Sequence, residues 1–385
     1  MQSFRDNVKA LPPAAWILFG GTFINRFGMF VIPFLILYLT RIGYSNAQAG
    51  LAVGAYGLGH LVASSAGGHL ADRIGRRNTI VLSMFGSAAS MLSLSQARSY
   101  LPIVILTCVT GALSELYRPA SYALVGDLVG EEHRVTAFGI YRFAINLGFA
   151  AGPATAGFLA DHSFTLLFIG DAATSIVYGL IALFALPHGL RTYVKSERTG
   201  EALRVAARDK PFIVFLLATL CVTIVDFQMG STFALHVKSN GFPARVYGLL
   251  ISTNGMLIVI FELAITQWTR RFHPRPMIAL GYLLAGVGFA LTGLAHSVPV
   301  LAATVVIWTL GEMISSPVAT AYAVHLAPEQ YRGRYLGLVM MMWSLGMIIG
   351  PPVGTFVFEH NPAAVWIACG VLGIISAMLM MRGRS

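Results

Sequence analysis

Charged side chains are scarce: Asp, Glu, Lys and Arg make up 11% of the 385 residues, less than half the share of about 25% usual in a soluble domain. That deficit excludes a water-soluble globule, because 56% of the chain is hydrophobic and a soluble fold of this length has no interior large enough to hide it. Cysteine is scarce too. Cys108, Cys221 and Cys369 all lie in apolar runs, so they supply no disulfide or metal framework, and neither a metal nor a cofactor is expected. No nucleophile–base or metal-ligating constellation stands out, which argues against an enzyme. The first apolar run, 14–40, is too long for a cleavable signal peptide and lacks a cleavage-type end. Glycine, by contrast, is plentiful, with 40 residues, as expected where helices approach closely in lipid.

A bilayer core takes about 20 apolar residues per helix. Apolar runs between polar or Gly/Pro punctuation predict an all-α membrane protein with spans at 14–40, 47–70, 78–96, 101–128, 136–160, 165–187, 211–237, 245–268, 276–296, 300–326, 334–358 and 363–381. The stretch 188–210 is polar and basic, suited to a cytoplasmic linker lying partly as an amphipathic helix on the membrane surface. It separates an N-terminal six-helix bundle, 1–187, from a C-terminal one, 211–385. The formal net charge of +10 reads as topology rather than as a nucleic-acid footprint. With both termini cytoplasmic, 19 of the 26 Lys and Arg residues fall on the cytoplasmic side and four on the other, the asymmetry the positive-inside rule requires.

The two halves align without a gap at an offset of 198 residues. Pro13 meets Pro211, Gly50 meets Gly248, Gly57 meets Gly255 and Arg73 meets Arg271. Between 113–162 and 311–360 there are 12 identities in 50 positions, among them Pro119/Pro317, Arg134/Arg332, Gly139/Gly337, Gly148/Gly346, Gly152/Gly350, Pro153/Pro351 and His162/His360. Two pseudo-symmetric bundles related by an axis along the membrane normal are a transporter layout, suited to rocking about a midplane site.

After the second span the chain reads GGHLADRIGRR, from Gly67 to Arg77. This resembles the loop signature of the major facilitator superfamily, and the resemblance implies that superfamily's fold of twelve transmembrane helices. It also implies a cytoplasmic gate made of Asp72, Arg73, Gly75, Arg76 and Arg77. In it Asp72 faces a helix N-terminus of the other bundle, where its charge is favoured, and Arg76 relays to an acid at the end of the fourth span, here Asp127. The alternative for these residues is a positive-inside anchor only. The second half's copy, AITQWTRRFHPR, lacks the Asp, so the gate is expected on one side. In the fifth span, GFAAGPATAG (Gly148, Gly152, Pro153, Gly157) is similar to the motif of drug:proton antiporters in this superfamily. Its twin GMIIGPPVG in the eleventh span leaves pure packing as an equal alternative. An arginine that such antiporters carry in the fourth span is replaced here by Thr107, before Gly111.

Ionisable groups in mid-span cost about 2.5–3.5 kcal/mol each on insertion scales, so they need partners or a wet cavity. The first, fourth, seventh and tenth spans, which line the central cavity in this architecture, carry Arg26; Glu115 and Arg118; Asp226; and Glu312. Glu115 and Arg118 share a helix face and either neutralise each other or serve the substrate. Arg26 pairs either with Glu115 or with Asp226. Asp226 and Glu312 have no basic residue mid-span in their half, which suits them, with Glu115, to proton coupling. Tyr117 and Phe227, with Phe23, Phe27, Phe30, Tyr122, Met229 and Met313, suit an adaptable apolar cavity, lipid contact being the alternative for each. Glu262 and Arg142 read as structural as readily as functional, His60 as a hydrogen-bonded packing element with titration the alternative, and Asp171 as a cap or bonding group on the periplasmic side.

The expectation is a monomeric, proton-coupled secondary transporter of the bacterial inner membrane that exports amphiphilic drugs or metabolites. Its partners would be a small-molecule substrate, protons and the lipid bilayer, with no nucleic acid. Proton symport of a small nutrient or peptide is the alternative within transport, and a non-transporting receptor or scaffold the alternative outside it.

Overall fold

The computed structural model describes residues 4–189 and 199–382. Among these there is no strand. By contacts the chain divides into two compact units, Met1–Phe34 with Ala55–Val194, and Leu35–Gly54 with Lys195–Ser385.

Going along the chain, α1 (Phe4–Lys9), α2 (Pro13–Phe27), α3 (Val31–Arg41), α4 (Asn46–Ile74), α5 (Arg76–Gln96), α6 (Tyr100–Glu115), α7 (Tyr117–Leu128), α8 (Arg134–His162) and α9 (Phe164–Ala185) form the first half. The second half is α10 (Thr199–Ala206), α11 (Lys210–Asp226), α12 (Thr232–Ser239), α13 (Ala244–Thr269), α14 (Pro274–Thr292), α15 (Val298–Leu326), α16 (Arg332–His360) and α17 (Pro362–Arg382). Ten stretches are long and apolar enough to cross a membrane, counting α2–α3 and α6–α7 as one each. The small-residue helix α4 and the broken pair α11–α12 complete a set consistent with twelve. Of the predicted linker, 190–198 lies outside the described residues. The remainder supplies α10 and Asp209, whose carboxylate accepts from the Phe212 N–H at 3.1 Å and caps α11 beside Pro211.

Three spans predicted as continuous, 14–40, 101–128 and 211–237, are broken, and proline explains the first two. A helix running through residues 29–33 would leave the Met29 carbonyl without a donor, since Pro33 has no N–H. The chain opens instead between Phe27 and Val31, and Pro33 falls in the first turn of α3, where N–H groups lack partners anyway. Pro119 likewise places α7's start after a break at Leu116. Its counterpart Pro317 sits inside an uninterrupted α15.

The repeat is visible in both cores. In the first unit Ile80, Met84, Leu124, Val125, Val129, Ala137 and Tyr141 are buried together. The residues 198 positions on, Ile278, Tyr282, Tyr322, Ala323, Ala327, Tyr335 and Val339, are buried together in the second. Even surface detail recurs: His162 and His360 each bond through Nδ1 to the carbonyl four residues back, Phe158 and Phe356, at 2.9 Å. Within the second unit, Gly50 and Gly54 of α4 lie against Pro351, Pro352 and Thr355 of α16. There Glu359 accepts from the Ala47 N–H at 2.8 Å, capping α4. Large apolar side chains such as Leu101, Leu263 and Ile367 point outward, as lipid contact requires.

Candidate functional site

In the first unit the charges meet around Glu115, which sits at the end of α6 just before the proline-made break. Its carboxylate lies 3.5 Å from Arg26 Nη1, 3.2 Å from Arg118 Nη1 and 3.7 Å from His60 Nε2. Arg26 and Glu115 are both buried. Of the two alternatives for Arg26, the pair with Glu115 is the one formed. The Arg26 guanidinium also stands 5.4 Å from the centroid of the Tyr117 ring, a cation–π contact, with Met29 Sδ at 3.5 Å from Nη1. One Arg26 nitrogen, Nε, is buried without a hydrogen-bond partner among the described residues. Tyr56 and Ser114 share a hydroxyl hydrogen bond of 2.8 Å beside the pair. Arg26, Met29, Tyr56, Ser114 and Glu115 line a pocket that also takes in Asn25, Ile32 and Asp171. Asp171, on α9, is buried and accepts the Val31 N–H at 3.2 Å, so its carboxylate sits at the N-terminus of α3, the position a helix dipole favours for negative charge.

The glycine-rich run of α8 is the socket in which this arrangement rests. A Cβ on Gly148 would stand 2.8 Å from Arg26 Cβ and from the Phe27 nitrogen, and one on Gly152 would stand 2.5 Å from the Phe27 carbonyl oxygen. Only a residue without a side chain allows α2 to approach so closely. Pro153 and Gly157 are buried in the same helix. Gly148→Leu is therefore expected to push the last turn of α2 away, at a cost of about 1–3 kcal/mol, and to lower the melting transition of the purified protein. Gly139→Leu, where a Cβ meets nothing within 4 Å, is the control and should melt as the parent does.

At the α4–α5 turn the motif residues form a second cluster. Gly75 turns the chain at φ 93°, a conformation open to glycine. Arg76 is buried with its Nε 2.8 Å from Asp127 Oδ2. Arg77 Nη2 reaches His188 Nε2 at 2.7 Å. Gly189, at φ 73°, lies over the ion pair, where a Cβ would stand 3.0 Å from Arg76 Cδ and 3.2 Å from Asp127 Oδ2. Arg73 is exposed, and Asp72, half-buried, makes no hydrogen bond or ion pair among the described residues.

The second unit is different in charge. Glu312 accepts from the Asn254 amide at 3.1 Å, and the same amide donates to Thr309 at 3.0 Å. Asp226 ends α11 within electrostatic reach of Glu312 and has no hydrogen bond or ion pair among the described residues. The gap between α11 and α12 is closed by Gln228, which donates to the Ile224 and Gly350 carbonyls and accepts from Ser231 and Thr232. Phe227 packs edge-on against Trp343 with centroids 6.1 Å apart.

Of the remaining candidates, Arg142 is exposed and Glu262 and Met229 are half-buried. Tyr122 stacks with Phe138 and is partly exposed, while Met313 is fully in the core. Asn254 and Gln228 were not anticipated; their one signal is an amide in an otherwise apolar span.

A profile of the Major Facilitator Superfamily matches residues 18–243 and 216–384. The chain belongs to that superfamily. It is a multi-pass membrane transporter of small molecules, not an enzyme. Among relatives in the superfamily, the MFS-type transporter YqjV of Bacillus subtilis (strain 168) is 28% identical over 340 residues, covering 86% of this chain and 83% of its own. The multidrug resistance protein MdtH of Klebsiella pneumoniae is 24% identical over 363 residues, 92% of this chain and 90% of its own. A Na(+), Li(+), K(+)/H(+) antiporter of Planococcus maritimus is 23% identical over 354 residues, 83% of each chain. Among solved structures, the nucleoside transporter NupG superposes with a TM-score of 0.83 at 15% identity, over 96% of this chain and 99% of that one. This last likeness is one of fold.

Proposed function

We propose that this transporter exports amphiphilic, cationic compounds across the bacterial inner membrane in exchange for protons, by alternating access. The observation that carries the reading is the charge of the second unit: Asp226 and Glu312 lie within electrostatic reach of each other, and no Lys or Arg stands in mid-span anywhere in that half. Such a pair of acids holds either a proton or a cation, and exchange between the two is antiport. The cation class agrees with the relative named for cation/proton antiport, and drug export with the one named for multidrug resistance. Glu115, already paired with two arginines, is the weakest of the three proton-coupling candidates, and its role is to hold Arg26 and Arg118 in the first unit's pocket.

In this reading the six-helix halves 1–187 and 211–385 are the moving bodies, and the Asp72–Arg77 turn with Asp127 is the cytoplasmic gate. Both termini lie in the cytoplasm, as the distribution of Lys and Arg favours, and the transporter works as a monomer without nucleic acid.

Cells making the protein in a pump-deficient host are expected to accumulate less ethidium than controls, and a protonophore should abolish the difference. Flux of the opposite sign would assign proton symport instead. No solute movement by the purified protein in vesicles under any imposed pH gradient would end the reading.

A further inference from the structure

Asp171 has no place in the proposed exchange site, yet its position is unusual. It is buried on α9 and accepts the Val31 N–H at 3.2 Å. This is the first amide of α3, after the break in the first span. Three residues beyond Val31 the chain passes from one compact unit to the other. The same carboxylate lines the pocket that holds Arg26 and Glu115.

The charges facing Asp171 can be named element by element. From α2 comes Arg26, from α4 the Tyr56 phenol, and from α6 Glu115; α5 offers the pocket only a serine and a methionine, and α8 nothing charged. The lining holds one guanidinium, Arg26, and two carboxylates, Glu115 and Asp171, with Arg118 and His60 lying against Glu115 outside it. A proton on Asp171 would cancel the lining's surplus negative charge. It would also replace an anionic cap on α3 by a neutral one, weakening its hold on the Val31 amide.

We infer that Asp171 is a proton-binding group of the first unit, whose charge state sets both the start of α3 and the charge of the pocket. Protonation loosens the start of α3 and removes the pocket's attraction for a cation. Deprotonation recaps the helix and restores that attraction. This rests on the antiport reading only for its place in a cycle; the protonation itself is measurable without transport.

The test uses the full chain in detergent and two readouts between roughly pH 5 and pH 9, a window around buried-carboxyl titrations. In infrared difference spectra the protonated-carboxyl region of the wild type is expected to lose one component in Asp171→Asn, the contribution of Asp226 and Glu312 remaining, while Glu359→Gln leaves the region unchanged. Hydrogen exchange in residues 28–34, corrected for the intrinsic pH dependence, should be roughly tenfold faster at the acid end and equally fast at both ends in Asp171→Asn. A carboxyl region that Asp171→Asn leaves unchanged overturns the proposal. So does a wild-type exchange ratio flat across pH, a result that needs no variant to fold. Absence of pH-driven flux with the Asp171 component and the exchange effect intact would instead count against the antiport reading alone.

Discussion

Glu115→Gln is expected to produce the largest loss of stability of any single change in the first unit. The substitution removes one negative charge from a buried group in which Arg26 at 3.5 Å and Arg118 at 3.2 Å both depend on it. Removing one partner of a buried ion pair typically costs about 3–5 kcal/mol, because the other charge stays in low dielectric without compensation. Arg26 has few ways to relax. Its backbone is held by Gly148 in the α8 socket, and its guanidinium is fixed against Tyr117. The expected readout is a fall of the melting transition on the order of 10 °C for a helical unit of this size, with reduced accumulation in the membrane.

Two companion variants separate charge imbalance from lost packing. Arg118→Gln removes the cation whose side chain is 40% exposed, and should cost far less, since Arg26 and Glu115 still balance. Combining Glu115→Gln with Arg26→Met removes both members of the buried pair and should recover part of the lost stability, a coupling that a double-mutant cycle measures directly. If the double variant melts below either single one, neutral packing rather than charge balance governs the site.

The ends of the spans were legible in the sequence because a bilayer sets a length and lipid excludes charge. The predicted 136–160 and 300–326, for example, grew by only four and two residues, into α8 and α15. The breaks were not read, although Pro33 and Pro119 encode two of them, because hydropathy averages over a run and ignores one missing N–H. Which acid Arg26 chooses was open in the sequence, since spacing along a chain does not say which spans adjoin; contact between α2 and α6 decides it in favour of Glu115. Arg76 and Asp127 came together from a family likeness rather than from any local pattern, and the fold places them 2.8 Å apart. Gly189, which covers that pair, lay in a stretch that reads only as polar linker. Asn254 and Gln228 were missed because an amide in an apolar span carries no charge and so no insertion penalty large enough to draw notice. Each nonetheless orders a functional candidate or a helix break.

The second large effect is expected at Asp226 and Glu312, and here function rather than stability should change. Asp226 has no bonded partner among the described residues, whereas Glu312 is held by Asn254, which is itself tied to Thr309. Glu312 is therefore the fixed member of the pair and Asp226 the freer one. Replacing either by its amide removes a charge from a site with a negative surplus, so the fold is not left with an unpaired cation, and melting should move little. Transport should respond strongly. In Asp226→Asn the remaining glutamate faces no second carboxylate, loses the repulsion that made a shared proton or cation favourable, and is expected to slow proton-driven efflux at least tenfold. Glu312→Gln also turns the Asn254 amide toward a side chain that can meet it with a donor, so one of the two amides must rotate. Asn254→Asp is a sharper probe, because it adds a third carboxylate where the amide stood. It should raise the affinity for a cationic dye and hinder its release, lowering turnover at low substrate concentration less than at saturation. Efflux that keeps its full dependence on the pH gradient in the double variant Asp226→Asn, Glu312→Gln would remove this pair from the coupling mechanism. The proton would then have to travel through the first unit, where Asp171 is a buried carboxylate that bonds to a backbone amide instead of an arginine.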